Sequence, residues 1–164
     1  MKILNQRQIQ QKIQRLAIEI LENNYEEDEL ILAGINNRGY RFAQLLQTEL
    51  EQLNKVPIRM TRIRLNPAAP LDEDIQLEML MSELTGRAII VIDDVANTGR
   101  TIFYACKPIL DVLPKKVEVA VLVDRTHKSF PIKVDYVGLS LATTLKDNID
   151  VQIERTEERA VFLD

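Results

Sequence analysis

The chain has one cysteine, Cys106, and one histidine, His127, in 164 residues. A lone cysteine excludes an internal disulfide and fits a reducing compartment. A lone histidine with no cysteine or second histidine at ligand spacing speaks against a metal held by the protein alone. No apolar run approaches the roughly 18 residues that a membrane span needs, and no charged-then-apolar leader opens the chain. A cytoplasmic protein without a membrane partner is therefore expected. Repeats, low-complexity tracts and linkers are also missing, so residues 1–164 are expected to form one domain. A net charge of −4 offers no general attraction to nucleic acid; RNA binding would need a local basic patch.

What is present is an alternation of helical and extended patterns. Ile9, Ile13, Leu16 and Ile20 follow helical spacing and predict an amphipathic helix over Gln6–Asn23. Leu30–Ile35 reads as a buried strand, followed by the polar turn Asn36–Gly39 and a second helix marked by Phe42, Leu45, Leu46, Leu50 and Leu53. Ile58–Leu65 is a partly exposed strand. Ile75, Leu77 and Met79 alternate with polar residues as another, and the loop Asn66–Glu73 lies between the two. A third helical stripe, Ile102, Cys106, Ile109 and Leu113, contains Pro108, which predicts a kink or a break. Cys106 falls on the apolar side of that stripe and reads as core. Val117–Val123 is a buried strand and Val134–Val137 a short one; Val151–Glu154 and Ala160–Leu163 are further extended stretches.

Strands alternating with helices imply right-handed crossovers and an α/β fold with a mostly parallel, five-stranded, doubly wound sheet. If the core strands take the order 2-1-3-4-5, the loops after the first and third strands meet at the switch point, where such sheets bind ligands. Those loops are Asn36–Gly39 and Asp93–Thr101.

The second of these loops carries the most information. Ile89–Thr101 reads IIVIDDVANTGRT: a run of β-branched residues, two adjacent acids, then a polar turn with one glycine at the start of a helical pattern. Carboxylates accept from hydroxyls, and a helix N-terminus with hydroxyls and a guanidinium holds a phosphate. Two acids that seek hydroxyls beside a phosphate cradle describe a phosphoribosyl group. The plainer alternative is a strand–turn–helix with polar residues at its tip.

The segment resembles the signature with which type I phosphoribosyltransferases bind phosphoribosyl pyrophosphate (PRPP). The resemblance puts Asp93 and Asp94 on the ribose and, through water, near a Mg²⁺ carried by the pyrophosphate. It puts Asn97, Thr98, Gly99, Arg100 and Thr101 around the 5′-phosphate. Asn37, Arg38 and Gly39 correspond to the family's pyrophosphate loop, with the Asn37–Arg38 bond in the place of its cis peptide. Such a bond costs about 3–4 kcal/mol and needs a functional reason; an ordinary turn with Gly39 in the first helical turn is the alternative.

Three stretches carry the resemblance further, to the family of pyrimidine operon attenuators and uracil phosphoribosyltransferases. They are ILAGINNRGYRFAQLL, the signature, and VAVLVDRTHKSFPIKVDYVG. The family's fold adds a small hood over the base and an exposed β-hairpin loop. In the hood Tyr136 would stack on the base and the Val137 backbone would read its edge, with Asp124 and Arg125 near exocyclic groups. A half-buried Tyr136 and a surface pair Asp124–Arg125 are the alternative.

Three departures qualify the match. Asn97 stands where purine-type members carry an acid that exchanges a proton with the ring; an amide cannot do this, which favours a pyrimidine. The loop Asn66–Glu73 has no cation where the family has a Tyr-Arg-Asp-Asp stretch, leaving Arg62 and above all Arg64 to meet the developing pyrophosphate charge. The first helix has Ile18 in place of a histidine near the attenuators' RNA surface. Arg125, His127, Lys128 and Lys133 could contact RNA, although a solvated basic loop is the favoured reading. The resemblance thus implies transfer from PRPP to a base such as uracil, with Asp93, Asp94 and Arg64 as catalytic groups. A PRPP- or nucleotide-sensing regulator is the alternative, and a homo-oligomer, a dimer at least, is expected.

Overall fold

The structure is a computed structural model that describes residues 1–53, 55–144, 146–154 and 158–164. The chain opens with a short strand, β1 (Lys2–Leu4), and helix α1 (Gln6–Asn24). Asn5 caps α1 by accepting from the Gln8 backbone while the Gln8 side chain accepts from the Asn5 backbone, a capping box. Strand β2 (Leu30–Ile35) passes directly into α2 (Asn36–Leu53), and β3 (Ile58–Arg64) follows. A two-residue strand, β4 (Gln76–Leu77), pairs antiparallel to β3. Strand β5 (Ala88–Ala96) carries the two acids and leads into α3 (Arg100–Ala105). The predicted break at Pro108 is found: α3 ends at Cys106, and Lys107–Asp111 continues as a 3-10 turn with the proline at its start. The Cys106 thiol sits against the core, and burial raises its pKa.

Strands β6 (Lys116–Arg125), β7 (Tyr136–Leu141), β8 (Ile149–Gln152) and β9 (Ala160–Leu163) complete the chain. The main sheet runs β4-β3-β2-β5-β6-β7, parallel except for β4. Its five core strands therefore take the expected order, and the switch point lies between β2 and β5. A second sheet, β1-β9-β8, is antiparallel and forms the hood.

Strands buried on both faces explain the continuous apolar runs. Leu30, Leu32, Ile90 and Ile92 face α1 and α2, whereas Ile31, Ala33, Ile89 and Val91 face α3 and the 3-10 turns.

Three boundaries differ from the expected ones. The Val134–Val137 strand is displaced to Tyr136–Leu141, because Asp135 turns its carboxylate onto the Val119 backbone N–H (2.8 Å) before pairing begins. The Val151–Glu154 stretch begins earlier, at Ile149, because Ile149 pairs with Leu163. Of Ile75–Met79, only Gln76 and Leu77 form a ladder.

Candidate active site

The two acids end β5 at the switch point. Asp93 and Asp94 are only 9% and 8% exposed. Their side chains close local turns: the Asp94 N–H donates to Asp93 Oδ1, and the Val95 N–H to Asp94 Oδ1, both at 2.9 Å. Burial, reinforced by the neighbouring Asp94 charge, raises the Asp93 pKa well above the usual carboxylate range. A cation, or a diol donating two hydrogen bonds, would relieve that desolvation.

Asn36–Gly39, expected as a turn, is the first turn of α2 itself. Asn36 makes the change of direction in one residue with φ at 52°, a conformation asparagine tolerates better than most. Its carboxamide then clasps the end of β3, donating to Leu65 O (2.9 Å) and accepting from Leu65 N (3.1 Å). Gly39 lets this turn lie against β5, since a Cβ there would stand 2.5 Å from the Ile92 carbonyl and 3.3 Å from Asp93 Cα. The expected cis bond at Asn37–Arg38 is not found: no described peptide is cis, because the left-handed Asn36 already supplies the reversal. Arg38 reaches Asp94 Oδ2 (4.0 Å) and Asp150 Oδ1 (3.8 Å) of the hood.

Beyond the acids, Val95–Ile102 line a small cup. Gly99, at φ 88°, turns the chain into α3. The Thr98 carbonyl is occupied from outside by the Ser129 and Phe130 N–H groups (3.0 and 3.1 Å), and Ile132 packs beside Gly99. Arg100 points elsewhere, donating to the Pro67 carbonyl at 2.6 Å and tethering the Asn66–Glu73 loop. Two clefts open beside the first turn of α2. One, about 640 Å³, is lined by Asn36, Arg64, Asn66, Glu73 and Asp74; the other, about 300 Å³, by Arg38, Val151, Gln152, Glu154 and Glu158. Both fall within the range of small-molecule pockets, about 300–1,000 Å³.

The expected cations sit below the loop. Arg62 donates to Asn37 Oδ1 (2.9 Å) and lies over the Tyr40 ring (4.0 Å), so it is joined to the Asn36–Gly39 turn. Arg64 is held by Glu78 (3.1 Å) and lines the larger cleft. Asn36 and Arg62 are the residues that sequence reasoning underrated; an asparagine directly after a buried strand was the available signal for the first.

Four base-site expectations meet a different arrangement. Tyr136 is 1% exposed and packs in the core below α1. Its hydroxyl donates to Glu118 Oε2 (2.9 Å) and accepts from Asn24 (3.2 Å), towards the N-terminal ends of the strands, so its ring cannot stack on a ligand at their C-terminal ends. The Val137 carbonyl accepts from Arg15 (2.7 Å), and Val137 pairs with Val121 inside the sheet, away from any base edge. Asp124 pairs with Lys128. Arg125 turns its guanidinium to Thr143 Oγ1 (2.7 Å), Thr144 O (3.0 Å), the Asp147 carbonyl and Asn97 Oδ1 (3.3 Å), bracing the hood turn. The basic cluster is reduced in the same way: Arg125 and Lys128 are engaged, while Lys133, 3.9 Å from Asp135, and His127 stay exposed.

A buried acid pair at a switch point thus lies beside a small cup and a glycine-backed helix turn. The chain belongs to the phosphoribosyl transferase domain family, whose model matches residues 1–156. It is 31% identical over 163 residues to the bifunctional protein PyrR of Macrococcus caseolyticus, covering 96% of this chain and 94% of that one. To the bifunctional protein PyrR of Staphylococcus saprophyticus it is 34% identical over 164 residues, with the same coverage. Among solved structures, the hypoxanthine phosphoribosyltransferase of Trypanosoma cruzi superposes with a TM-score of 0.79 at 18% identity, covering 98% of this chain and 95% of that one. A hypoxanthine-guanine phosphoribosyltransferase of Bacillus anthracis gives 0.71 at 19%, covering 87% and 84%. The fold is that of the type I phosphoribosyltransferases, and the protein is a phosphoribosyltransferase.

Proposed function

We propose that the base is a pyrimidine such as uracil, and that Mg²⁺ travels with the PRPP. The observation that carries the reading is the buried Asp93–Asp94 pair beside the Val95–Ile102 cup. In it the Asp93 and Asp94 carboxylates accept from the ribose 2′- and 3′-hydroxyls, and backbone and hydroxyl donors of Asn97, Thr98, Gly99, Arg100 and Thr101 hold the 5′-phosphate. Asn37, Arg38 and Gly39 face the pyrophosphate, with Arg62 behind them and Arg64 under the loop. As the base attacks, the bond from C1′ to pyrophosphate breaks and charge develops on the leaving group, which these cations stabilise. The base gives up its proton at the attacking nitrogen to the departing pyrophosphate or to water.

The residues present fit a magnesium ion carried by the pyrophosphate: the paired carboxylates of Asp93 and Asp94 offer the hard oxygens Mg²⁺ prefers. When bound, the ion supplies charge neutralisation on the pyrophosphate. The pyrimidine preference follows from Asn97, whose amide cannot exchange a proton with a purine ring at neutral pH. One observation supports a second reading, a PRPP- or nucleotide-sensing regulator with little turnover: no cation lies within Asn66–Glu73. RNA is possible but not favoured, since Arg125 and Lys128 are held by neighbouring groups. A cytoplasmic site of action and a homo-oligomer remain part of the proposal.

Product formation from PRPP and Mg²⁺ with uracil, hypoxanthine and guanine tests the reading. Uracil is expected to react fastest. Faster turnover with either purine overturns the base, and negligible product with all three, alongside firm PRPP binding, moves the assignment to the regulator.

A further inference from the structure

Arg62 and Arg64 share one counter-ion. Two residues apart on β3, they project from the same face of the strand. The Glu78 N–H donates to the Arg62 carbonyl (3.0 Å), which holds Glu78 beside β3 just past the end of β4. One oxygen of its carboxylate, Oε1, then serves both guanidiniums. Arg64 donates to it from Nη2 (3.1 Å) and Nε (3.2 Å), and Arg62 Nε stands 3.8 Å away. That last distance is too long for a hydrogen bond, and Arg62 Nε is buried with no other acceptor among the described residues. Two cations therefore face a single oxygen that satisfies only one of them. Glu73 and Asp74 line the same cleft as Arg64, yet among the described residues neither pairs with Arg62 or Arg64.

We propose that Glu78 is a built-in competitor for the leaving group, a carboxylate that occupies the two arginines between turnovers and helps pyrophosphate to depart. This rests on the reading that Arg62 and Arg64 face the pyrophosphate. Arg64 and Glu78 are each nearly half exposed (49% and 46%), and ion pairs between groups this exposed are weak. A pyrophosphate, with more charge and more acceptor oxygens, displaces the carboxylate and satisfies the Arg62 Nε that Glu78 leaves unpaired. Glu78 can yield without disturbing the strand, because its anchor to the Arg62 carbonyl is its own backbone N–H. Once the bond to C1′ has broken, pyrophosphate has to leave two cations. A tethered carboxylate competes for them at a high effective concentration and repels the departing anion. Glu78 thus sets the affinity for pyrophosphate without touching the reacting atoms.

Calorimetric affinities for magnesium pyrophosphate and for ribose 5-phosphate, which carries no pyrophosphate, isolate the effect. Glu78→Gln keeps the side-chain length and an acceptor oxygen but removes the charge. It is expected to tighten pyrophosphate binding about three- to tenfold, while ribose 5-phosphate affinity stays within about twofold and shows an intact fold. Glu83→Gln removes the same charge near the other end of β3, where Glu83 pairs with Arg59 (2.8 Å). It is expected to change neither affinity by more than about twofold. Unchanged or weaker pyrophosphate binding in Glu78→Gln overturns the competitor role, and so does an equal gain in Glu83→Gln, which would reflect net charge alone. If the wild-type protein binds ribose 5-phosphate but no pyrophosphate, the placement of the leaving group on these arginines fails, and the role of Glu78 falls with it.

Discussion

Asp93 is the residue at which stability and function pull apart. Its burial beside Asp94 favours the neutral acid, whereas a ribose or a magnesium ion needs the carboxylate. The sign follows from the raised pKa. An acid with a folded pKa above its unfolded value, about 3.9, binds its proton more tightly when folded. It contributes stability that is complete below the unfolded pKa and is lost as pH rises through the folded one. Asp93→Asn is therefore expected to be more stable than the wild type near neutral pH, by on the order of 1 kcal/mol, with the gap closing in acid. Urea denaturation at several pH values would show this, and equal stability at all of them would contradict it. For the ligand the direction reverses: binding that requires the carboxylate strengthens as pH rises through the folded pKa and releases a proton. Calorimetry in buffers of different ionisation enthalpy measures that release.

Among the elements, the junction of β2 with α2 governs the site. No loop separates them, Asn36 takes the whole reversal, and Gly39 brings the helix against β5. Gly39→Ala is expected to force the two elements apart, costing about 1–3 kcal/mol as other overpacked sites do, and to weaken PRPP binding; unchanged stability and affinity would show that the approach has slack. The cations differ in how they meet this junction. Both pair with Glu78, Arg62 at 3.8 Å and Arg64 at 3.1 Å, but only Arg62 is also bonded to Asn37 and stacked on Tyr40. Arg62→Ala is accordingly expected to lower kcat by about 10²–10³, the usual loss for one preorganised donor, and Arg64→Ala by less. The reverse ranking in steady-state kinetics would place the leaving group further under the loop.

The elements also show what was legible beforehand. Buried runs such as LILAGI and IIVI, and the alternation of strand with helix, were enough to find the five core strands and to make the order 2-1-3-4-5 one of few choices, because parallel strands covered on both faces leave few topologies. The acids and the cup were legible for a related reason: their chemistry is contained in thirteen consecutive residues. The start of β7 was not, since a period of two gives a strand's faces but not its register. Tyr136 was misplaced with it; whether an aromatic lies in a hood or beneath α1 depends on partners, Asn24 and Glu118, that are remote in sequence. The bracing contacts of Arg125 were not legible either, because its acceptors, Thr143, Thr144 and Asp147, are remote from it in sequence.

At the scale of the whole molecule, the cup and the two clefts gather at the ends of β2 and β5, and Arg38 links the acids to the hood, reaching Asp94 and Asp150. A net charge of −4 and two buried carboxylates would repel a highly anionic substrate, so magnesium on the pyrophosphate is expected to be required for full affinity. The most direct measurement is therefore calorimetric binding of PRPP with and without Mg²⁺, for the wild type and for Asp93→Asn combined with Asp94→Asn. Firm, magnesium-dependent binding to the wild type, lost in the folded double variant, is the predicted result. Unchanged PRPP affinity in that variant would contradict the placement of the ribose on Asp93 and Asp94.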